Sequence, residues 1–271
     1  MALRVNTNTF SLNAQKNLAM HGEKLGGSFA KLSSGLRIVT AADDAAGLGI
    51  SERMRAQIKS MDMASRNAQD GVSLVQTAEG ALSEVSSNLV RMRELAVEAS
   101  NGTLNSSDRA SLDAEFSALS DEISRVAGET TFNGIALLNT AGTIAIQVGT
   151  DSGDTIDITT TDVDGTALGV AALSITDVTS ASASLASIDT AIDSVVTQRG
   201  DFGASQNRLQ SAMRSIASTT ENLTGAESRI RDVDVARETA ELTKNRILQQ
   251  AATSVLAQAN TQPQLALSLL G

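Results

Sequence analysis

Few residues of this chain could do acid–base or metal chemistry, and their spacing decides how far each can go. Asp43-Asp44 sets two carboxylates side by side, the raw material of general acid–base catalysis. Adjacent carboxylates in a turn serve far more often as helix caps and solvated charge. Asp162-Val163-Asp164-Gly165 has the opening of a calcium loop, but a full loop needs a further ligand and a distal Glu, and both are missing. Gly47-Leu48-Gly49 is too short for a dinucleotide fingerprint and follows no strand. The chain has one His, His21, and no Cys. Those counts remove thiolate metal sites, Cys nucleophiles, disulfide scaffolds and any Ser-His-Asp machinery not built on His21. His21 itself reads as a solvated helix residue. The sequons at Asn101, Asn105 and Asn222 mean little without secretory routing. No catalytic residue, metal site or cofactor is expected, and no enzyme activity.

Composition describes the scaffold that carries these residues. At 271 residues the chain is long enough for one large domain or two modest ones. It has no Trp or Tyr, five Phe and one Pro, Pro263, so the 41% of apolar residues is mostly Ala, Leu, Ile and Val. Small aliphatic side chains suit helices packed side by side, and nothing before Pro263 forces a break in a long helix. The net charge of −10 makes nucleic acid an unsuitable partner, because phosphate binding needs a basic patch. No Lys or Arg lies between Arg125 and Arg199, a gap that holds Glu129, Asp151, Asp154, Asp157, Asp162, Asp164, Asp177, Asp189 and Asp193. Nearly neutral ends around an acidic centre suggest ends that meet something and a centre that faces water. Residues 1–10 are polar, without the apolar core of a cleavable signal. Taken alone, that predicts a soluble cytoplasmic protein. No apolar stretch approaches the roughly 20 residues a bilayer demands, so no membrane partner is expected.

Periodicity supplies the elements. Met54, Ile58, Met61, Ala68, Val72, Val75, Ala78, Leu82, Val85, Leu89, Met92, Ala96 and Ala99 follow steps of three and four, a heptad seam of about six repeats. One three-residue discontinuity falls near Val75, where Glu79 would otherwise enter the seam; such a step locally overwinds a supercoil. At 1.5 Å per residue this helix would be a rod of roughly 70 Å. Ser100-Asn101-Gly102 ends it, and Ser107 or Asp108 caps a second helix carrying Leu112, Phe116, Leu119, Ile123 and Val126 up to Gly128. Ile144, Ile146 and Val148, then Ile156 and Ile158, alternate around a Gly/Asp/Ser/Thr loop, which predicts one or two β-hairpins. Short strand or loop continues to about Ser180. A second long helix starts at Leu185, with Ile188, Ile192, Val195, Phe202, Leu209, Met213, Ile216 and Leu223 in its seam and Arg199, Gln206 and Thr220 in polar slots, and it ends near Gly225. Leu18, Leu25 and Leu32 near one end, and Leu248, Ala252, Val255 and Ala259 near the other, form narrow seams. Pro263 opens an apolar tail that includes Leu269 and Leu270. Each terminal stretch has too little apolar surface to fold alone, so the two need each other or other copies.

These residues resemble bacterial flagellin. The resemblance is carried by Leu32-Ser33-Ser34-Gly35-Leu36-Arg37-Ile38 running into Ala41-Ala42-Asp43-Asp44-Ala45-Ala46-Gly47-Leu48, by Arg91-Met92-Arg93-Glu94-Leu95-Ala96, and by Phe132-Asn133-Gly134. The block 227–260 and Leu267-Ser268-Leu269-Leu270 complete it. Several extended motifs in family order are far more specific than one short pattern. The short middle marks a form with little or no variable outer domain, and Gly271 stands where a basic residue is common in the family.

The resemblance implies a mainly α fold: long antiparallel coiled-coil helices forming a rod bundle, a small β-hairpin region and a discontinuous helical terminal domain. Residues 1–45 plus 230–271 would form the inner terminal domain, and 46–229 the rod, with the hairpin insertion at about 135–180. Leu18, Leu25, Leu32, Leu248, Val255, Leu269 and Leu270 would then serve inner-domain assembly. Met54, Ile58, Val72, Leu82, Leu89, Leu209, Ile216 and Leu223 would form the rod core. The implied function is a structural subunit polymerising into the flagellar filament for motility; the alternative is a hook–filament junction protein with related termini. The implied partners are other copies of the chain, the flagellar export apparatus and its chaperone, and the filament cap and hook-junction proteins, with the product secreted into the extracellular filament. Arg91, Leu95 and Glu115 match the flagellin patch bound by a host Toll-like receptor, whereas helical spacing alone makes Arg91 and Leu95 one salt-bridging and one packing residue.

Overall fold

The computed structural model describes residues 7–268. Within them the chain forms five helices and two antiparallel ribbons, in the order α1 (Thr9–Ser34), α2 (Ala45–Ala99), α3 (Ser106–Glu129), β1 (Thr131–Phe132), β2 (Ile135–Ala136), β3 (Gly142–Gln147), β4 (Thr155–Thr160), α4 (Val178–Arg231) and α5 (Val235–Ser268). This is the mainly α, long-helix architecture with a small hairpin region that the sequence predicts. Two compact units divide it: Met1–Ala56 with Asn222–Gly271, and Gln57–Glu221.

The unit Gln57–Glu221 holds the main core. One row of buried positions on α2 runs Ala64, Ala68, Gly71, Val75, Ala78, Leu82, Val85, Leu89, Met92, Ala96 and Ala99, with Leu74, Asn88 and Leu95 buried beside it. These steps of four and three alternate without a break, the pattern of a continuous heptad seam. The expected discontinuity is therefore absent: Gly71 takes the seam position, and Val72 packs half-buried beside it. Glycine carries no apolar signal, so sequence periodicity passed over it. Its small size is needed there, because a Cβ would stand 3.2 Å from both Ile146 Cγ1 and Leu209 Cδ1. On α4 the buried row is Ala181, Ser184, Ile188, Ala191, Val195, Gln198, Phe202, Ser205, Leu209 and Ile216. Gln198 and Ser205 hold its polar slots in place of the expected Arg199 and Gln206. Helices α2 and α4 are antiparallel: Thr220 Oγ1 lies 3.7 Å from Met61 Sδ, and Arg93 Nε lies 2.7 Å from Asp189 Oδ1.

Caps and turns set the element ends. Asn105, not Ser107 or Asp108, caps α3: its side chain accepts from the Asp108 N–H while the Asp108 carboxylate accepts from the Asn105 N–H. α4 begins at Val178, seven residues before the expected Leu185, because Asp177 accepts from the Thr179 and Ser180 N–H groups. It continues through Gly225, which keeps a negative φ, to Arg231. α5 likewise runs on past Pro263. The hairpin pairs Ile144 with Ile158 and Ile146 with Ile156, and Asn133-Gly134, both at positive φ, turn β1 into β2. The segment after β4 is loop, yet it buries Val163, Leu168, Val170 and Ile175 in the same core.

In the other unit α1 and α5 lie antiparallel. Asn8 Nδ2 donates to the Ala259 carbonyl at 2.7 Å, and Ser11 Oγ donates to Asn260 Oδ1 at 2.8 Å. α1 is capped by Asn8 and stops at Gly35, whose φ of 72° ends a helix that an L side chain would strain to end there. The two inter-helix linkers are tied together. Leu36 bridges Asp232, the Arg37 N–H donates to the Arg231 carbonyl at 2.6 Å, and the Arg37 guanidinium donates to the Ile230 carbonyl at the end of α4. A cation there satisfies a helix-terminal carbonyl and meets the negative end of the helix dipole.

Candidate functional site

The terminal helices bury little of their own apolar surface. On α1 the buried residues are Ser11, Ala14 and Ser28, all small. Phe10, Leu12, Met20 and Phe29 are exposed, Phe29 to 67%. On α5, Val235, Ile247, Leu248 and Val255 are exposed, while the small or polar Asn245 and Ala259 are buried. The two long helices are thus joined through small and polar contacts and leave large apolar side chains exposed, a feature that marks candidate interaction surfaces. Leu18, Leu25 and Leu32 are half-buried, so the expected N-terminal seam is shared between the helix pair and the outside. Leu248 and Val255 lie on the exposed part. Leu269 and Leu270 fall outside the described residues. Periodicity missed Phe10, Leu12, Met20, Val235 and Ile247. The available signal was apolar residues on more than one face of a helix that has too little else to bury them.

The expected rod-core residues fall into two groups. Leu82, Leu89 and Leu209 have no exposed surface and Ile216 is buried, whereas Met54, Ile58, Val72 and Leu223 are half-buried. Arg91 and Glu115 meet on the surface, with Nε 2.8 Å from Oε1, and Glu94 takes a second Arg91 nitrogen at 3.0 Å. Leu95 has no exposed surface; it packs beneath this cluster and takes no part in the exposed patch.

The acidic candidates do structural work. Asp43 accepts from the Thr40 and Val39 N–H groups, and the Thr40 N–H foremost holds its carboxyl below the usual range. Asp44 accepts from the Gly47 N–H at 2.9 Å and caps α2. Asp162 and Asp164 spend their carboxylates on the N–H groups of Asp164, Thr166 and Ala167, and no acidic, His or Cys cluster among the described residues is arranged to hold a metal. His21 is half-buried with Nδ1 buried and unpartnered among the described residues, which corrects the expectation of a solvated histidine. Its helix lies against α5, and that contact removes the water that an isolated helix would leave. Between helices, Arg93 donates to Asp189, Arg199 to Glu79 and Arg231 to Glu52. The Arg93 hydrogen bond lowers the Asp189 pKa, and the Arg231 hydrogen bond lowers that of Glu52. Asp151, Asp154 and Asp157 are exposed, as the charge distribution predicts.

Comparison with known proteins decides the family. Residues 5–143 match the bacterial flagellin N-terminal helical region, and residues 185–270 match the bacterial flagellin C-terminal helical region. The chain belongs to the bacterial flagellin family. It is 49% identical to a flagellin of Halalkalibacterium halodurans, over 98% of this chain and 99% of that one. It is 44% identical to a Bacillus subtilis flagellin, over 99% and 100%. A flagellar filament 30.7 kDa core protein of Treponema maltophilum is 39% identical over 98% and 99%. Among solved structures, Bacillus cereus flagellin superposes with a TM-score of 0.52 at 38% identity, over 60% of this chain and 94% of that one. A flagellar hook-associated protein of Vibrio parahaemolyticus reaches 0.59 at 16% identity, over 70% of this chain and all of that one. That likeness shows a shared fold alone, so the junction-protein alternative is not favoured. The chain is a structural subunit of the flagellar filament, and its place is extracellular.

Proposed function

We propose that copies of the chain assemble through the apolar faces of α1 and α5. The observation that carries this reading is the outward exposure, on more than one side of the paired helices, of Phe10, Leu12, Met20 and Phe29 together with Val235, Ile247, Leu248 and Val255. Burying such side chains between copies stabilises by about 1.5–3 kcal/mol each, enough to drive polymerisation when several act together. In this reading residues 1–45 plus 230–271 are the inner assembly domain and 46–229 the rod. The exposed carboxylates Asp151, Asp154 and Asp157 suit an outward face, where salt screens them within about 8 Å.

The family relationship supports export through the flagellar apparatus with its chaperone, and contacts with the cap and hook-junction proteins. A host Toll-like receptor would meet Arg91 and Glu115, with Leu95 supporting them from the core. The assembly reading is tested with Leu248→Asp/Val255→Asp. Both sites are exposed, so the monomer should keep its helicity and thermal midpoint while salting-out no longer yields filaments by electron microscopy. Normal filaments from this variant would overturn the proposal.

A further inference from the structure

Three glycines interrupt α2 and α4 at one level. Arg199 Nη2 lies 2.8 Å from Glu79 Oε1, which sets these residues opposite each other. Gly80 on α2 and Gly200 and Gly203 on α4 therefore fall within about one helical turn along the paired helices. Gly71 shows what a required glycine looks like, with Ile146 and Leu209 pressed against the place of its missing Cβ. A Cβ on Gly80, Gly200 or Gly203 would meet nothing within 4 Å, and none of the three has a positive φ. Neither space nor backbone conformation calls for glycine at these sites. Each one makes local opening about five-fold easier than alanine would, the factor that corresponds to the glycine–alanine difference in helix propensity.

The seam at this level mixes small or polar side chains, Ala78, Gln198 and Ser205, with the fully buried Leu82 and Phe202. Glu79 Oε2 is buried and has no hydrogen-bond partner among the described residues, so opening, which admits water, relieves it. Gln198 is held from the hairpin side: its Nε2 donates to the Thr159 carbonyl at 2.8 Å, and its Oε1 accepts from the Thr161 hydroxyl. Weak helix propensity, polar seam positions and an unsatisfied oxygen coincide where α4 is also tethered to β4. Low local stability has these same physical signatures.

We propose that this level is a joint, at which α2 and α4 open and bend in preference to the seams on either side, while the hairpin's grip on Gln198 keeps α4 in place. The joint lets the helix pair change curvature without parting the aliphatic contacts above and below. It is a property of the single chain and does not rest on the assembly reading. The test is residue-resolved amide hydrogen exchange on the full-length monomer. Amides at 78–82 and 198–204 should exchange about ten-fold faster than those at 85–92 and 188–195. Gly80→Ala/Gly200→Ala/Gly203→Ala should slow the fast group at least about five-fold and leave the flanks unchanged. Gly80→Ala alone should slow the α2 segment. Equal protection along both helices in the natural chain, or fast exchange that persists in the triple variant, would overturn the joint.

Discussion

Replacing Gly71 with alanine sets two effects of similar size against each other. Helix propensity favours alanine in a helix interior by about 1 kcal/mol. Against it, the new Cβ would stand 3.2 Å from Ile146 Cγ1, 3.2 Å from Leu209 Cδ1 and 3.4 Å from Ile146 Cγ2. Carbon atoms prefer a separation of about 3.5–4.0 Å, so the neighbours must yield by a few tenths of an ångström. Leu209 has no exposed surface and nowhere to go; Ile146, half-buried on β3, must move, and the hairpin with it. Overpacking of this kind costs about 1–3 kcal/mol. The net expectation is a loss of about 1 kcal/mol, which lowers the thermal midpoint by about 2–4 °C in a unit of this size. Equilibrium urea unfolding of Gly71→Ala, Ile146→Ala and the double variant measures it. Ile146→Ala removes two of the three close atoms and gives Leu209 room to move, so in that background Gly71→Ala should be neutral or stabilise by part of the propensity term. The coupling between the sites should then be about 1–2 kcal/mol. If Gly71→Ala stabilises equally in both backgrounds, the close approach of α2, α4 and the hairpin at this point is wrong.

Acid should loosen the helix pair through its Arg–carboxylate contacts. Asp189, held below its ordinary value of 3.8 by the Arg93 hydrogen bond, contributes stability that is fully present above that value and is lost as pH falls through its lower folded-state value. Thermal midpoints should thus decline below about pH 4, and Arg93→Gln should flatten part of that decline; parallel profiles would remove Asp189 from the account. Arg109 is nearly buried and donates to the Ala99 and Asn101 carbonyls at 2.9 and 2.8 Å. Arg109→Ala should cost about 2–3 kcal/mol in urea unfolding, and Arg109→Lys should recover less than half, because one ammonium does not span both carbonyls. The set Asp151→Asn, Asp154→Asn, Asp162→Asn and Asp164→Asn keeps one acceptor oxygen at each site, and Asp154, Asp162 and Asp164 each accept through one oxygen, so filaments should stay intact in cells lacking their own flagellin. Leu209→Asp buries an unpaired carboxylate, costs several kcal/mol by rough reckoning, and should abolish filaments under the electron microscope.

Much of this fold can be read along the chain, because its signals are local. Steps of three and four name the long helices, Asn101-Gly102 and Asn133-Gly134 mark turns, and the alternation of Ile144 and Ile146 with Ile156 and Ile158 announces a hairpin, whose register the structure supplies. Charge placement likewise anticipates the exposed carboxylates, since an unpaired charge has few places to go but water. Tertiary structure decided the phase. Whether Gly71 or Val72, and Gln198 or Arg199, lies in the seam depends on what α4 and the hairpin press against each helix. Glycine and glutamine carry no apolar signal that would reveal it. The same holds for the patch at Arg91: spacing places Leu95 beside it, and only the packed helices show that Leu95 points into the core. At the termini, sequence showed two helices too poor in apolar surface to fold alone. The structure showed which large side chains remain outside after they pair, because that depends on which faces the small residues Ser11, Ala14, Ser28 and Ala259 bring together.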